Sequence, residues 1–100
     1  MKTLHGRHRK DANHDEVAGW FEHFGFAVDD VSQTDLGYDM AVWWRSQGRC
    51  IEVKDGSKAP SARRLTAHEA KVSAERPDVY RVVECFDDVA RVVNEMRGAG

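Results

Sequence analysis

Three charged side chains border two otherwise apolar segments, and their types are those of a metal-dependent hydrolytic site. Asp39 precedes the apolar run 40–44, and Glu52 and Lys54 lie at the end of the run 50–54. A charge inside a sheet is costly unless it is paired or binds a metal. Carboxylates are typical ligands of Mg²⁺, and an ammonium beside them can stabilise charge on a reacting phosphate. The pattern predicts a Mg²⁺ site, in which Mn²⁺ can substitute, for phosphodiester hydrolysis.

The two apolar runs predict a β-hairpin that brings these charges together. With residues 47–48 as a two-residue turn, Trp43 is expected opposite Glu52. Because side chains alternate between the faces of a sheet, Asp39 then shares a face with Glu52 and Lys54. Asp39 would lie one diagonal step beyond the last pair, at roughly 7–8 Å. A three-residue turn would place Asp39 on the opposite face unless the strand bends there, so the prediction depends on the register.

The remaining segments predict an α/β domain of the α+β type, with the element order αβββαβα. Its mixed central sheet is expected to be flanked by helices, including one at the C-terminus. The predicted elements are helices at 13–24, from Thr66 to before Pro77, and after a cap at Asp87, with strands at 26–31 and 79–85 in addition to the hairpin.

Length and composition indicate one soluble domain. The chain has 100 residues, of which 41% are hydrophobic and 32% charged, enough for one modest core. We expect a flexible basic arm at 1–10 and a single folded domain at 11–97. No apolar run could span a bilayer, and residues 1–10 lack the apolar stretch of a signal peptide. Cys50 and Cys85 lie in apolar runs, which indicates reduced, packed thiols. These features predict a cytoplasmic protein without a membrane partner.

The charge distribution indicates a polyanionic partner. The net charge of −2 argues against a uniformly basic binder, but residues 1–10 carry four Lys or Arg and no acid. Residues 54–64 carry four such cations and one acid. Basic patches beside a carboxylate cluster fit a protein that holds nucleic acid against metal ions. The side chains expected to contact backbone phosphates are Ser57, Lys58, Ser61, Arg63 and Arg64.

The order of these residues resembles a known superfamily. Asp39 followed by Glu52-Val53-Lys54, an E-x-K signature with a carboxylate on a preceding helix, resembles the PD-(D/E)xK nucleases. The segment EVKDGSKAPSARRLTAHE, residues 52–69, is similar to small stand-alone VRR-NUC-type nucleases of phage and bacterial genomes. The likeness covers residues 11–93 and implies a restriction-endonuclease-like αβββαβ core.

The resemblance also implies roles for individual residues. Asp39, Glu52 and the carbonyl of Val53 would be metal ligands, with Glu16 of the opening helix facing the same metal. Lys54 would be the catalytic lysine that orients or helps to deprotonate the attacking water. The implied substrate is branched DNA, such as four-way junctions, cut by a homodimer in a bacterial cell or a phage-infected host.

The sequence departs from the family pattern at three positions. Tyr38 stands where the signature has Pro, and His14 and Glu69 stand where the family usually has Gln. Glu69 could be an accessory site residue, but its position three residues after Thr66 also fits a helix capping box. Glu16 has the same ambiguity, because it lies three residues after Asn13.

Other functions are consistent with parts of the pattern. The chain could be an inactive nucleic-acid-binding module with a nuclease-like fold, or a small phage interaction protein. Either Trp43 or Trp44 must point away from the core side of the hairpin, and if that face is uncovered it is a candidate dimer surface. A zinc site is not favoured, because the histidines lack partners at ligand spacing; they are His5, His8, His14, His23 and His68.

Overall fold

The computed structural model describes residues 13–98 and confirms the predicted element order. The predicted arm at 1–10 lies outside the described residues, as do residues 11–12 of the predicted domain. A short 3-10 helix spans Pro60–Arg63. The helices are α1 (His14–His23), α2 (Ala67–Glu75) and α3 (Phe86–Gly98), and the strands are β1 (Ala27–Asp30), β2 (Met40–Trp44), β3 (Gln47–Val53) and β4 (Tyr80–Val83).

The four strands form one mixed sheet in the order β1-β2-β3-β4. The pairs β1–β2 and β2–β3 are antiparallel, whereas β3 and β4 are parallel. A parallel pair needs a crossover, which the 3-10 helix and α2 provide between β3 and β4. The end of β3, where the predicted site residues lie, is therefore joined directly to this crossover.

One face of the sheet, here called the core face, carries the main hydrophobic core under α1 and α3. Both helices are amphipathic, with apolar residues at helical spacing that face the sheet. The buried residues of this core are Val17, Phe21, Phe26, Met40, Val42, Ile51, Val53, Val83, Val89, Val92, Val93 and Met96.

The opposite face, here called the open face, is partly covered by the nine-residue α2. Its apolar cluster is small, with Cys50, Val72 and Tyr80 buried. Glu52 and Lys54 lie two and four positions beyond Cys50 on the same strand, so alternation directs them to this face. The open face therefore combines a small apolar cluster with buried charge.

The hairpin register differs from the predicted one. Residues 45–46 form the turn, Arg45 adopts a φ of 57°, and Trp43 pairs with Gly48, four residues from the expected Glu52. Gly48 is needed beneath the Trp43 ring, because a Cβ there would approach that ring to 2.6 Å. The glycine that suggested a turn therefore serves side-chain packing. The shift is even, so the face assignment of each β3 side chain is unchanged.

Two helix boundaries were predicted with different success. Thr66 is the N-cap of α2, as expected. The prediction that Asp87 caps the last helix was wrong, because α3 begins at Phe86 and Asp87 lies in its first turn. Asp88 instead accepts a hydrogen bond from the backbone N–H of Glu84, at 2.9 Å. Within residues 13–98, no helix is long and apolar enough to cross a membrane.

Cys50 and Cys85 both carry free thiols. Cys50 is buried, as expected, whereas Cys85 is exposed because β4 ends at Val83. The prediction of a packed thiol was therefore wrong for Cys85.

Candidate active site

Lys54 lies between two carboxylates at the end of β3. Its Nζ is 3.0 Å from Oε1 of Glu69 and 3.3 Å from Oε2 of Glu52. The side chains of Lys54 and Glu52 are 11% and 5% exposed, so this is a desolvated cluster of ionisable groups rather than a surface salt bridge. Removing one partner of such a cluster leaves an uncompensated buried charge. The structure thus joins two predicted catalytic residues with Glu69.

Asp39 is fixed beside Glu52 by backbone hydrogen bonds. Its N–H donates to the Ile51 carbonyl at 2.8 Å, and its Oδ2 accepts from the Val53 N–H at 2.7 Å. These two partners flank Glu52 in the sequence. Asp39 therefore lies against β3 at Glu52, just beyond the regular pairing that ends at Met40 and Ile51.

The surroundings of Glu52 favour its protonated form. Burial, followed by the negative charges of Asp39 and Glu69, raises the pKa of Glu52 to about 9, and Lys54 offsets only part of this effect. A hydrogen bond between the Glu52 and Glu69 carboxyl groups acts in the same direction. A pKa this far from the ordinary value, with specific charge partners, is common at functional sites.

The neighbours of Glu52 respond to the same charges. Burial opposes the charge of Lys54, but the hydrogen bond with Glu69 and the two carboxylates outweigh it and raise the pKa of Lys54. Burial also opposes ionisation of Glu69, yet the Thr66 N–H and the Lys54 ammonium lower the pKa of Glu69. Glu69 and Lys54 are therefore the ionised pair, and Glu52 is the group that holds a proton.

Glu69 is both a helix cap and a member of the cluster. Its N–H donates to Thr66 Oγ1 at 3.1 Å, and its Oε1 accepts from the Thr66 N–H at 2.9 Å, which completes a capping box. The same Oε1 accepts from Lys54. The capping box fixes the carboxylate where Lys54 can reach it. Glu69 therefore caps the helix and contacts Lys54 at the same time.

Glu16 is exposed and lies in a separate cleft of about 450 Å³. This cleft is also lined by Asp55, Ser57 and Glu84, but not by Asp39, Glu52 or Lys54. The alternative of a capping pair with Asn13 is wrong, because Asn13 makes no side-chain cap hydrogen bond. The described residues therefore do not bring Glu16 into the cluster, and its metal-facing role stays a prediction.

Asn13 and Tyr80 are neighbours of the site that the sequence did not indicate. Asn13 Nδ2 donates to the carbonyls of Lys54 at 3.2 Å and Glu84 at 3.3 Å, and so ties the start of α1 to the ends of β3 and β4. The Tyr80 hydroxyl donates to the Gly37 carbonyl at 2.7 Å. Burial and the nearby carboxylates raise the pKa of Tyr80, which keeps it neutral beside Glu52. In the sequence, the only indication of Tyr80 was its place in the alternation of side chains along the last strand.

The predicted phosphate-contacting loop is mostly exposed. Lys58, Ser61 and Arg64 are exposed, and Ser57 donates its hydroxyl to Asp55 at 2.6 Å. Arg63 is half-buried, and its guanidinium lies 3.1 Å from Glu84. Part of the expected positive charge is thus neutralised by Glu84, which follows β4. The exposed members remain available to a polyanion.

The donor set fits a hard divalent cation. Besides burial, the negative charges of Asp39 and Glu69 raise the pKa of Glu52, and a cation bound beside these carboxyl groups would offset their repulsion. Within residues 13–98, no three acidic, His or Cys groups are arranged to hold a metal ion. Mg²⁺ usually binds through one or two carboxylates and retains several waters. Asp39, Glu52 and the buried Val53 carbonyl are chemically sufficient for that mode.

Comparison with known proteins gives one family. No curated protein and no solved structure matches the chain. The family described as Protein NO VEIN, C-terminal, matches residues 7–94. This match does not show the PD-(D/E)xK superfamily or its VRR-NUC branch, so both stay predictions. The match covers most of the sequence, and the chain belongs to the family of the C-terminal domain of Protein NO VEIN.

Proposed function

We propose that this chain is a Mg²⁺-dependent DNA endonuclease of the PD-(D/E)xK, VRR-NUC type. The observation that carries the proposal is the desolvated cluster of Lys54, Glu52 and Glu69, with Asp39 bound to the backbone on either side of Glu52. Burying several charged groups lowers the stability of a protein, so such a cluster suggests a functional reason for keeping it. A cluster that combines carboxylates with one lysine suits a reaction in which the protein binds a metal cation and stabilises negative charge on a phosphate.

Each residue of the cluster would have a role that follows from its charge. Asp39 and Glu52, with the Val53 carbonyl, would hold the metal, which supplies Lewis-acid polarisation of the scissile phosphate. Lys54 carries a fixed positive charge that would orient the attacking water and stabilise the developing negative charge. Glu69 positions Lys54 through the 3.0 Å contact. Lys54 is not itself a cation ligand, because its ammonium has no free lone pair.

Metal binding to Glu52 should displace a proton. With a pKa of about 9, Glu52 is protonated at neutral pH in the metal-free protein. A carboxyl group must lose its proton to become a metal ligand, so binding and proton release are linked. Calorimetry of Mg²⁺ binding at pH 7.5, in buffers of different ionisation enthalpy, should show this release. Glu52→Gln should abolish it.

The substrate is proposed to be branched DNA, with four-way junctions as the leading candidate. Exposed Lys58, Ser61 and Arg64 follow directly after the site strand and would bind backbone phosphates without reading bases. Contacts of this kind select nucleic-acid shape rather than sequence. A homodimer would present two sites to two strands, as symmetric cleavage of a junction requires.

The decisive experiment is a cleavage assay with purified protein. Four-way junction, flap, single-stranded and linear duplex DNA would be incubated with Mg²⁺, Mn²⁺ or EDTA. Metal-dependent nicking by the wild type that is lost in Glu52→Gln would support the endonuclease. The matched control is Glu75→Gln, at an exposed acid at the end of α2 that lies 3.9 Å from Lys71.

A second candidate is a nucleic-acid-binding module without turnover. It is favoured by the exposed cations Lys58 and Arg64, which can bind backbone phosphates without a metal ion. It predicts DNA binding that is unaffected by EDTA and by Glu52→Gln, with no cleavage of any substrate. A protein that neither binds nor cleaves DNA would point instead to the third alternative, a small interaction protein.

A further inference from the structure

Trp43 lies flat on the open face of the sheet. Its indole Nε1 donates to Asp29 Oδ2 on β1 at 3.0 Å, while the six-membered ring covers Gly48 on β3. The ring therefore extends from β1 across its own strand to β3. Trp43 is nevertheless 42% exposed. One ring face packs on the backbone, and the other is available to a planar ligand.

A groove of about 320 Å³ adjoins this ring. Its lining includes two arginines and, among the described residues, no carboxylate. Arg49 is paired with Glu95 at 3.0 Å, whereas Arg76 is exposed and interacts with Tyr38 and Cys50. The groove thus combines an aromatic platform with an exposed cation. That combination suits a nucleotide, which has a planar base and an anionic phosphate.

The groove and the candidate active site are on the same face of the same strand. Gly48, beneath the indole, precedes Glu52 by four residues on β3. At the usual rise of a strand, their Cα atoms are about 13 Å apart. Cys50 lies between them and lines the groove. A nucleic-acid strand crossing Lys54 could therefore place a nearby base on Trp43.

We propose that the groove formed by Trp43, Gly48 and Arg76 binds an unpaired nucleobase of the nucleic-acid substrate. The proposal rests on the proposed nuclease function and refines its substrate class. A base stacked within a duplex has no free face, so the site selects DNA with an unpaired nucleotide near the scissile bond. Stacking on an aromatic ring is sequence-tolerant because every base has a π-face.

The test measures binding in EDTA, so that it does not depend on cleavage. A single-stranded oligothymidine would be compared with an oligonucleotide of the same length and charge that lacks the bases. We expect quenching of tryptophan emission by oligothymidine only. Trp43→Ala should weaken oligothymidine binding about 5- to 150-fold and leave the abasic strand unaffected.

Two further variants separate stacking from loss of structure. Trp43→Phe keeps a planar ring and should retain binding within about threefold while losing the quenching. Gly48→Ala should displace the ring, because its Cβ would lie 2.6 Å from the indole, and should weaken binding. Leu36→Ala is the matched control, because Leu36 is 45% exposed and does not line the groove.

The outcomes distinguish this site from the nuclease. Equal binding of both oligonucleotides, or unchanged binding by Trp43→Ala, would overturn the nucleobase site even if cleavage is established. Base-dependent quenching by a protein that never cleaves would support the site and remove only the nuclease proposal. Concentration-dependent dimerisation lost in Trp43→Ala, without quenching, would show that a second copy occupies this face and would overturn the nucleobase site.

Discussion

The two faces of the sheet differ in how completely helices cover them. On the core face, α1 and α3 leave Met40, Ile51 and Val83 fully buried. On the open face, α2 leaves Trp43 and Val82 exposed by 42% and 38%. Two amphipathic helices bury one face, whereas the single nine-residue α2 covers only part of the other. Because α2 covers the open face only in part, this face can carry charged side chains and can accept a ligand.

One strand separates these two environments residue by residue. On β3, Ile51 and Val53 join the core, while Cys50 and Glu52 face α2. The rigid core holds the backbone to which Asp39 is bound, so a well-packed face supports a polar one. We therefore expect changes on the core face to affect stability and changes on the open face to affect chemistry.

The largest effect is expected from Lys54→Met. The substitution keeps the aliphatic stem and removes the ammonium, which would lower the cleavage rate about 100- to 10,000-fold. DNA binding in EDTA should be nearly unchanged, as should the circular dichroism spectrum. Lys71→Met, at an exposed helix lysine that is 73% exposed, is the control. Full cleavage by purified Lys54→Met would remove Lys54 from the mechanism.

A second prediction compares adjacent valines on the two faces. Val83 is fully buried on the core face and Val82 is 38% exposed on the open face. Val83→Ala should lower the free energy of unfolding by about 2–3 kcal/mol, because it removes buried methyl groups and leaves a cavity. Val82→Ala should cost less than about 1 kcal/mol. Urea denaturation measures both, and equal losses would contradict the contrast between the faces.

A third prediction concerns pH and the buried acid. The pKa of Glu52 is about 9 in the folded protein, above its ordinary value of 4.5, so the folded state binds more protons between these pH values. The contribution of Glu52 to the free energy of unfolding is fully present below pH 4.5 and is lost as the pH rises toward 9. The slope is at most about 1.4 kcal/mol per pH unit.

Urea denaturation from pH 5 to pH 9 in EDTA would measure this slope, and Glu52→Gln should flatten it. The control is Glu95→Gln. The hydrogen bond from Arg81, together with that from Arg49, lowers the pKa of Glu95, so its contribution is lost only as the pH falls below the ordinary range. An unchanged slope in Glu52→Gln would show that Glu52 is ionised in the folded protein.

The fold could be predicted from the sequence where apolar periodicity decides it. The element order follows from such patterns, and Thr66 marked the start of α2 correctly. The hairpin turn could not be predicted, because Gly48 looks like a turn residue and is instead required beneath Trp43. That requirement comes from the Trp43 ring on the partner strand, and the sequence around Gly48 gives no indication of it.

The clustering of charged side chains could be predicted where charge interrupts an apolar strand. Glu52 and Lys54 were found in this way, and so was Asp39 at the start of the neighbouring strand. The role of Asn13 could not be found, because it depends on which loop carbonyls meet the start of α1. The separation of Glu16 from the cluster likewise depends on how α1 is placed against the sheet.

The smallest predicted effect separates the two roles of Glu69 on the open face. Thr66→Ala removes the oxygen that accepts from the Glu69 N–H, and should cost about 1 kcal/mol of stability. It leaves the Glu69 carboxylate beside Lys54. Glu69→Gln keeps a side-chain oxygen for the Thr66 N–H but removes the charge that raises the pKa of Glu52.

Glu69→Gln should therefore reduce the pH dependence of stability between pH 5 and pH 9, whereas Thr66→Ala should shift stability equally at every pH. Urea denaturation across this range distinguishes the two. If both variants change only the overall stability, Glu69 is a cap whose contact with Lys54 has no electrostatic consequence. If Glu69→Gln alone changes the slope, one carboxylate serves both the helix and the buried cluster, as its shared Oε1 indicates.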